Sequence, residues 1–165
     1  MNTQLLNQLY QRYYREIYLY LLSLSKNRTT AEDLLQETFL KAILSLPDSH
    51  GNTRAWLYMV ARNLYFNQKK REQHLTLTDE SEALSDGDDL LEQVIQDEKR
   101  KLLYRGLSRL EARKREVLQM QYFGGLSQKE IAAILHLTPE NVRVLAYRAR
   151  KELKNWMEEN GYDVS

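Results

Sequence analysis

The chain has 165 residues, 42% hydrophobic and 28% charged, with two prolines, six glycines and no cysteine. This excludes disulfides, thiolate nucleophiles and cysteine-based metal sites, and no apolar run approaches the roughly eighteen residues that span a bilayer. The formal net charge of +1 conceals blocks: residues 72–98 hold ten acidic side chains and no Lys or Arg, whereas residues 1–71 carry +5 and residues 99–165 carry +6. Basic blocks of this kind suit phosphate-bearing partners, and the acidic stretch between them suits a segment that stays off nucleic acid.

Strand-type alternation is nearly absent, and Leu, Glu, Lys, Arg, Gln and Ala dominate, so the expected fold class is all-α. Residues 2–25 place Leu6, Leu9, Tyr10, Tyr13, Tyr14, Ile17, Tyr18, Leu21, Leu22 and Leu24 on one wide stripe of an amphipathic helix. Its tyrosines read as packed rings with hydroxyls at the rim. The same stretch is too polar for a signal peptide, and the expected location is cytoplasmic. A break follows at residues 26–30, with Thr30 as the expected cap of the next helix.

That helix, residues 31–46, has two faces. Leu35, Phe39, Ala42, Ile43 and Leu46 form a core stripe, and Asp33, Gln36, Glu37, Leu40, Lys41 and Leu44 lie opposite. Exposed leucines ringed by acids and an amide suit a protein-contact surface, although single exposed leucines are common on any helix. Residues 47–52 read as a loop, and Thr53 as the cap of a third helix over residues 54–71. Leu57, Val60, Ala61 and Leu64 share one side of it. Trp56, Tyr58, Met59, Arg62, Asn63, Tyr65, Phe66, Lys69 and Lys70 spread over the rest. Aromatics interleaved with cations suit stacking on unpaired bases. A second tier of core aromatics ending in a basic helix terminus fits the pattern equally well.

Residues 73–95 form an acidic, flexible linker of low periodicity, dividing the chain into two small helical domains, residues 1–72 and 96–165. Each is near the lower size limit for a self-sufficient core, which points to reliance on a partner. Apolar periodicity returns over residues 90–121 (Leu90, Leu91, Val94, Ile95, then Leu102 to Met120), and residues 122–125 end that run.

The clearest local signals come next. Ser127 followed by Glu130 is a capping box opening a helix over residues 128–135, with Ile131, Ile134 and Leu135 buried. Thr138 and Pro139 open a second helix, with Glu140 in its first turn. Val142, Leu145, Ala146, Ala149 and Leu153 are its buried positions. Glu140, Asn141, Arg143, Val144, Tyr147, Arg148, Lys151 and Lys154 face outward. This is a helix-turn-helix whose second helix can enter a major groove; the alternative is an αα-hairpin with a solvated basic face. Where such turns often hold Gly, the chain has His136, which tolerates a left-handed backbone better than most residues.

No catalytic constellation accompanies these elements. His50, His74 and His136 lack metal-ligand spacing, and the sequence has neither a phosphate-binding glycine loop nor a nucleophile elbow. No catalytic residue, metal or cofactor is expected.

Together the stretches resemble the bacterial sigma factors of RNA polymerase, in their small two-domain extracytoplasmic-function (ECF) class. AEDLLQETFLKA (residues 31–42) is similar to the family's core-polymerase-binding helix. RAWLYMVARNLYFNQKKR (54–71) is similar to its helix for melting and reading the minus-ten element. LEARKREVLQMQYFGGLSQKEIAAILHLT (110–138) and NVRVLAYRARKELK (141–154) are similar to its minus-thirty-five domain. The resemblance implies that residues 1–72 are region 2 and residues 96–165 region 4, with function as a stress-responsive transcription initiation factor that docks on core polymerase and opens promoters.

By position, Asp33, Leu34, Gln36, Glu37 and Leu40 are implied to contact the polymerase clamp. Arg62, Asn63, Tyr65, Phe66, Lys69 and Lys70 are implied to face the melted minus-ten strand. The loop at residues 47–52 is implied to capture a flipped base, whose unstacking costs a few kcal/mol. Ser127, Thr138, Pro139, Glu140, Asn141, Arg143, Val144, Tyr147, Arg148 and Lys151 are implied to meet the minus-thirty-five duplex. Residues 139–144 are implied to read bases, with Asn suited to adenine, Glu to cytosine and Arg to guanine, and Arg148, Arg150, Lys151 and Lys154 are implied to anchor phosphates.

The implied partners are core RNA polymerase, promoter DNA and an anti-sigma factor, with no small-molecule substrate and no membrane insertion. His136, and Ser108-Arg109 where the family often has a Pro-containing turn, depart from the pattern. A stand-alone helix-turn-helix regulator is the alternative, but it needs neither the residue 31–44 surface nor the aromatic-basic third helix. A nucleic-acid-processing enzyme lacks its catalytic groups.

Overall fold

Helix α1, Thr3–Ser25, packs against α2, Arg28–Ser45, and α3, Thr53–Leu75, and α2 also packs on α3. The computed structural model describes residues 3–45, 52–75 and 97–161. Two compact units divide the chain, residues 1–90 and 91–165. Leu46, the loop expected at residues 47–52 apart from Asn52, most of the expected linker, and Leu90, Leu91, Val94 and Ile95 lie outside the described residues.

The core of the first unit follows helical spacing. Ile17, Tyr20, Leu21 and Leu22 of α1 meet Ala31, Leu34, Leu35, Phe39 and Ala42 of α2, and Leu57, Tyr58, Val60 and Ala61 of α3. Each fully buried large side chain contributes about 1.5–3 kcal/mol relative to exposure. Thr38 is also buried, and its hydroxyl donates to the Leu34 carbonyl at 2.7 Å, so this polar group is paired inside the core.

Two expected caps are corrected. Helix α1 stops where Lys26 turns left-handed at φ 54°, donating its N–H to the Leu22 carbonyl at 2.8 Å. Asn27 then caps α2: its Oδ1 accepts from the Thr30 N–H at 3.0 Å, and its carbonyl takes the first intrahelical bond, from Ala31. Thr30 is therefore inside the first turn and does not cap it. In the same way Asn52, not Thr53, caps α3, accepting from the Ala55 N–H at 3.1 Å. In both places an asparagine stands earlier in the chain and supplies the acceptor first.

In the second unit Asp97 caps α4, Glu98–Leu107, accepting from the Lys99 N–H at 2.9 Å. The apolar run expected to stay helical through residue 121 breaks at Ser108, Arg109 and Leu110. Glu111 caps the next helix, α5, Ala112–Leu118. This continues as a widened π-turn, Gln119–Phe123, that keeps Met120 in the core and leaves Tyr122 exposed. Helices α6, Gln128–Leu135, and α7, Pro139–Glu159, follow, and α7 packs on α4, α5 and α6. Gly106 permits the α4–α7 approach: a Cβ there would lie 2.6 Å from Leu153 Cδ1 and 2.9 Å from Trp156 Cε3.

Candidate nucleic-acid and protein interfaces

The helix-turn-helix is assembled from local chemistry. Ser127 Oγ accepts from the Glu130 N–H at 3.1 Å, and Glu130 Oε1 accepts from the Ser127 N–H at 2.9 Å. His136 turns left-handed at φ 59° and ψ 46°, and the Leu137 N–H reaches the Ala132 carbonyl at 2.9 Å. Arg113, from α5, donates to the Leu135 carbonyl at 3.3 Å and so satisfies an orphan acceptor at the end of α6. Thr138 Oγ1 then accepts from the Asn141 N–H at 3.1 Å, with Pro139 at the first helical position of α7. The turn is fixed at both ends, and burial of Val142, Ala146, Ala149 and Met157 fixes how α7 is rotated.

That rotation exposes Thr138, Pro139, Glu140, Asn141, Arg143, Tyr147, Arg148 and Lys151, with Val144 half-buried among them, and Ser127 is exposed at the start of α6. Lys151 Nζ lies 5.8 Å from the Tyr147 ring centroid. Glu140 and Arg143 hold each other: Arg143 Nε donates to Glu140 Oε1 at 3.2 Å and Nη2 donates to Oε2. Hydrogen bonding from Arg143, reinforced by its charge, lowers the Glu140 carboxyl, and the same contacts raise the Arg143 guanidinium. Arg150, an expected phosphate anchor, is exposed. It donates from Nη1 to the Tyr122 hydroxyl at 3.1 Å. Arg150 and Lys154 border an apolar groove of about 460 Å³ that is lined by Leu103, Leu118, Leu153 and Met157 among others.

On α3 the two readings of the aromatics divide by residue. Tyr58 is a core residue at 1% exposure, packed on Tyr20 with ring centroids 5.1 Å apart, as the reading of a second tier of core aromatics expects. Phe66 is 41% exposed. The Arg62 guanidinium stands over the Phe66 ring at 4.6 Å, and Tyr65 meets it edge-on at 4.9 Å. Met59, Asn63 and Lys70 are exposed beside them, and Arg62, Tyr65 and Lys69 are half-buried. Positions 59, 62, 63, 66 and 70 recur every three or four residues, so a ring face, amide and cations share one helical surface. Such a surface can stack bases while neutralising phosphates.

A contact missed in the sequence fixes the start of α3. Glu16 accepts from Arg54 Nε at 3.1 Å and from the Tyr58 hydroxyl at 3.0 Å, and Arg54 lies over the Tyr13 ring at 5.3 Å. Burial pushes the Glu16 carboxyl up, against the opposing pull of Arg54 and both hydrogen bonds. The available signal was a carboxylate on the core face of α1, at helical spacing from Tyr13, Ile17 and Tyr20, which calls for a partner.

The α2 surface keeps Asp33, Gln36 and Glu37 exposed, with Leu40 at 55% and Leu44 at 76% exposure. Leu34 is the exception among the expected contact residues. It is 1% exposed, since its spacing from Ala31 and Thr38 puts it on the core stripe. Beside this surface Tyr10 and Tyr14 stack with ring centroids 5.1 Å apart, and Tyr10 meets Phe39 edge-on. Among the described residues, no group of three or more His, Asp or Glu side chains could hold a metal, and no helix is long and apolar enough to cross a membrane.

Residues 9–74 match the family described as Sigma-70 region 2, and residues 100–153 match Sigma-70, region 4. The chain is similar to the ECF RNA polymerase sigma factor SigM of Bacillus subtilis, 31% identical over 151 residues, covering 90% of this chain and 93% of that protein. It is 34% identical over 158 residues to the RNA polymerase sigma factor YlaC of the same organism, covering 92% and 91%. Its fold is similar to that of the sigma factor RpoE of Bartonella quintana, solved in complex with the anti-sigma factor NepR. The TM-score is 0.70 at 19% identity, over 94% of this chain and 98% of that one.

Proposed function

Because the chain belongs to the extracytoplasmic-function class of RNA polymerase sigma factors, which direct polymerase to promoters, we propose how its surfaces divide that work. Residues 1–72 hold the enzyme and the melted strand, residues 73–95 link, and residues 96–165 hold the upstream duplex. On α2, Asp33, Gln36, Glu37 and Leu40 dock on core polymerase, with Leu34 supporting them from beneath. On α3, Arg62, Asn63, Tyr65, Phe66, Lys69 and Lys70 receive the unpaired minus-ten strand. Ser127 at the cap of α6, Thr138 at the cap of α7 and Pro139 to Val144 on α7 face the bases of the minus-thirty-five element, and Tyr147, Arg148 and Lys151 face its backbone.

The observation that carries this division is the Arg62–Phe66 pair, an exposed ring under a cation. A regulator that binds only duplex DNA has no use for such a surface. Base–aromatic stacking contributes about 1–3 kcal/mol per base, enough to offset the few kcal/mol of unstacking one nucleotide. The protein has no active site of its own; polymerase supplies the chemistry, in the cytoplasm. An anti-sigma factor that covers the α2 and α7 surfaces would hold it inactive.

Reconstitution tests the proposal. The chain, core polymerase and promoter DNA together should give a defined transcript start, and no two of them should suffice. Sequence-specific binding to duplex DNA without polymerase, with no transcript in the complete mixture, would support a stand-alone regulator instead.

A further inference from the structure

The Glu140–Arg143 pair sits in the first turn of α7, and its geometry is directional. Arg143 gives Glu140 the side edge of its guanidinium, Nε to Oε1 at 3.2 Å and Nη2 to Oε2. The donors at the tip, Nη1 and the outer N–H of Nη2, form the remaining parallel fork. The two side chains are 58% and 68% exposed, so that tip is accessible from the face α7 presents to solvent.

Guanine alone among the bases offers two adjacent acceptors, O6 and N7, on its major-groove edge, and a guanidinium fork matches them. An exposed ion pair contributes little to stability. Its consequence here is orientation: the pair biases Arg143 toward one arrangement before DNA arrives, so less side-chain freedom is lost on contact. The carboxylate adds a filter, because it only accepts hydrogen bonds. It is repelled by the acceptor edges of guanine and thymine and satisfied by the amino groups of cytosine or adenine. Position near the positive end of α7 explains a carboxylate at Glu140, but not its two-point hold on Arg143.

The geometry points to a coupled reading head: Glu140 is a specificity-determining residue that aims Arg143 at one guanine of the upstream duplex and requires an amino-bearing base beside it. The inference rests on the reading of α7 as the helix that meets the minus-thirty-five element.

The test uses the full chain bound to core polymerase and promoter fragments with a randomised upstream element, sequencing the fragments retained. The unmodified protein should favour guanine at one position by about tenfold. Arg143→Lys keeps the charge and loses the fork, so that preference should fall below about twofold. Glu140→Ala should weaken the same preference at least about threefold while raising total DNA retained, since a negative charge near phosphates is gone. Glu140→Gln, with one acceptor and no charge, should fall between. A guanine preference that survives Glu140→Ala intact overturns the proposal. A selection unchanged by Arg143→Lys overturns the reading of α7 on which it rests.

Discussion

The Glu16 carboxylate receives the Arg54 guanidinium at 3.1 Å and thereby ties the middle of α1 to the first turn of α3. The side chain of Glu16 is 19% exposed, and burial outweighs Arg54, so its carboxyl holds a proton to higher pH in the folded chain than its ordinary value of 4.5. The folded state then binds more protons than the unfolded state in the window from about pH 4.5 up to the raised value. This group's contribution to the stability of the first unit should therefore fall as pH rises through that window. Urea denaturation across pH 4–8 should show that slope, and Glu16→Gln should flatten it. Glu16→Ala, which removes the acceptor for both Arg54 and Tyr58, should cost about 1–3 kcal/mol at neutral pH.

Leu34 and Leu40 should separate stability from docking. Leu34→Ala opens a cavity in the core and should cost about 2–5 kcal/mol in denaturation. Leu40→Ala, at an exposed position, should change stability by less than about 0.5 kcal/mol. It should nonetheless weaken binding to core polymerase by roughly tenfold, measured by fluorescence anisotropy, as an exposed apolar anchor at an interface centre does.

His136 has the left-handed backbone that only glycine adopts without steric cost. His136→Gly should leave the fold intact and change stability by no more than about 1 kcal/mol in either direction, with relief of strain set against greater freedom in the unfolded chain. His136→Val, β-branched, should destabilise the second unit by about 1–2 kcal/mol. Thermal unfolding of the three proteins checks the order.

The helix-turn-helix was readable almost residue by residue, because caps and turns are short-range chemistry. Ser127 with Glu130, Thr138 before Pro139, and the left turn at His136 each involve neighbours within four positions. The outward set of α7 was readable from period alone. Caps failed where two good candidates stood close together, at Asn27 against Thr30 and Asn52 against Thr53. Long-range partners were not readable: Glu16 meets residues 38 and 42 positions away. Leu34 was misplaced because a family position was carried over without asking which way that turn of α2 faces. The Arg150 contact with Tyr122 was likewise not readable, since the two stand 28 positions apart. The π-turn after α5, which leaves Met120 buried, has no sequence signal comparable to a capping box.

Phosphate anchoring should be visible in salt. Arg148→Ala and Lys151→Ala should each weaken promoter retention by the polymerase complex about equally across sequences. Each should reduce the slope of log affinity against log salt by roughly one. Neither should alter which upstream bases are selected.

The central claim is that α3 handles the melted strand through Phe66 and Arg62, apart from docking and upstream grip. The direct measurement is 2-aminopurine fluorescence in the minus-ten element of a complex reconstituted from the chain, core polymerase and promoter. Phe66→Ala should leave recruitment to the duplex within about twofold, while unpairing falls by about tenfold, consistent with loss of one stacked base. Unpairing by Phe66→Ala at the rate and extent of the unmodified protein would contradict the account.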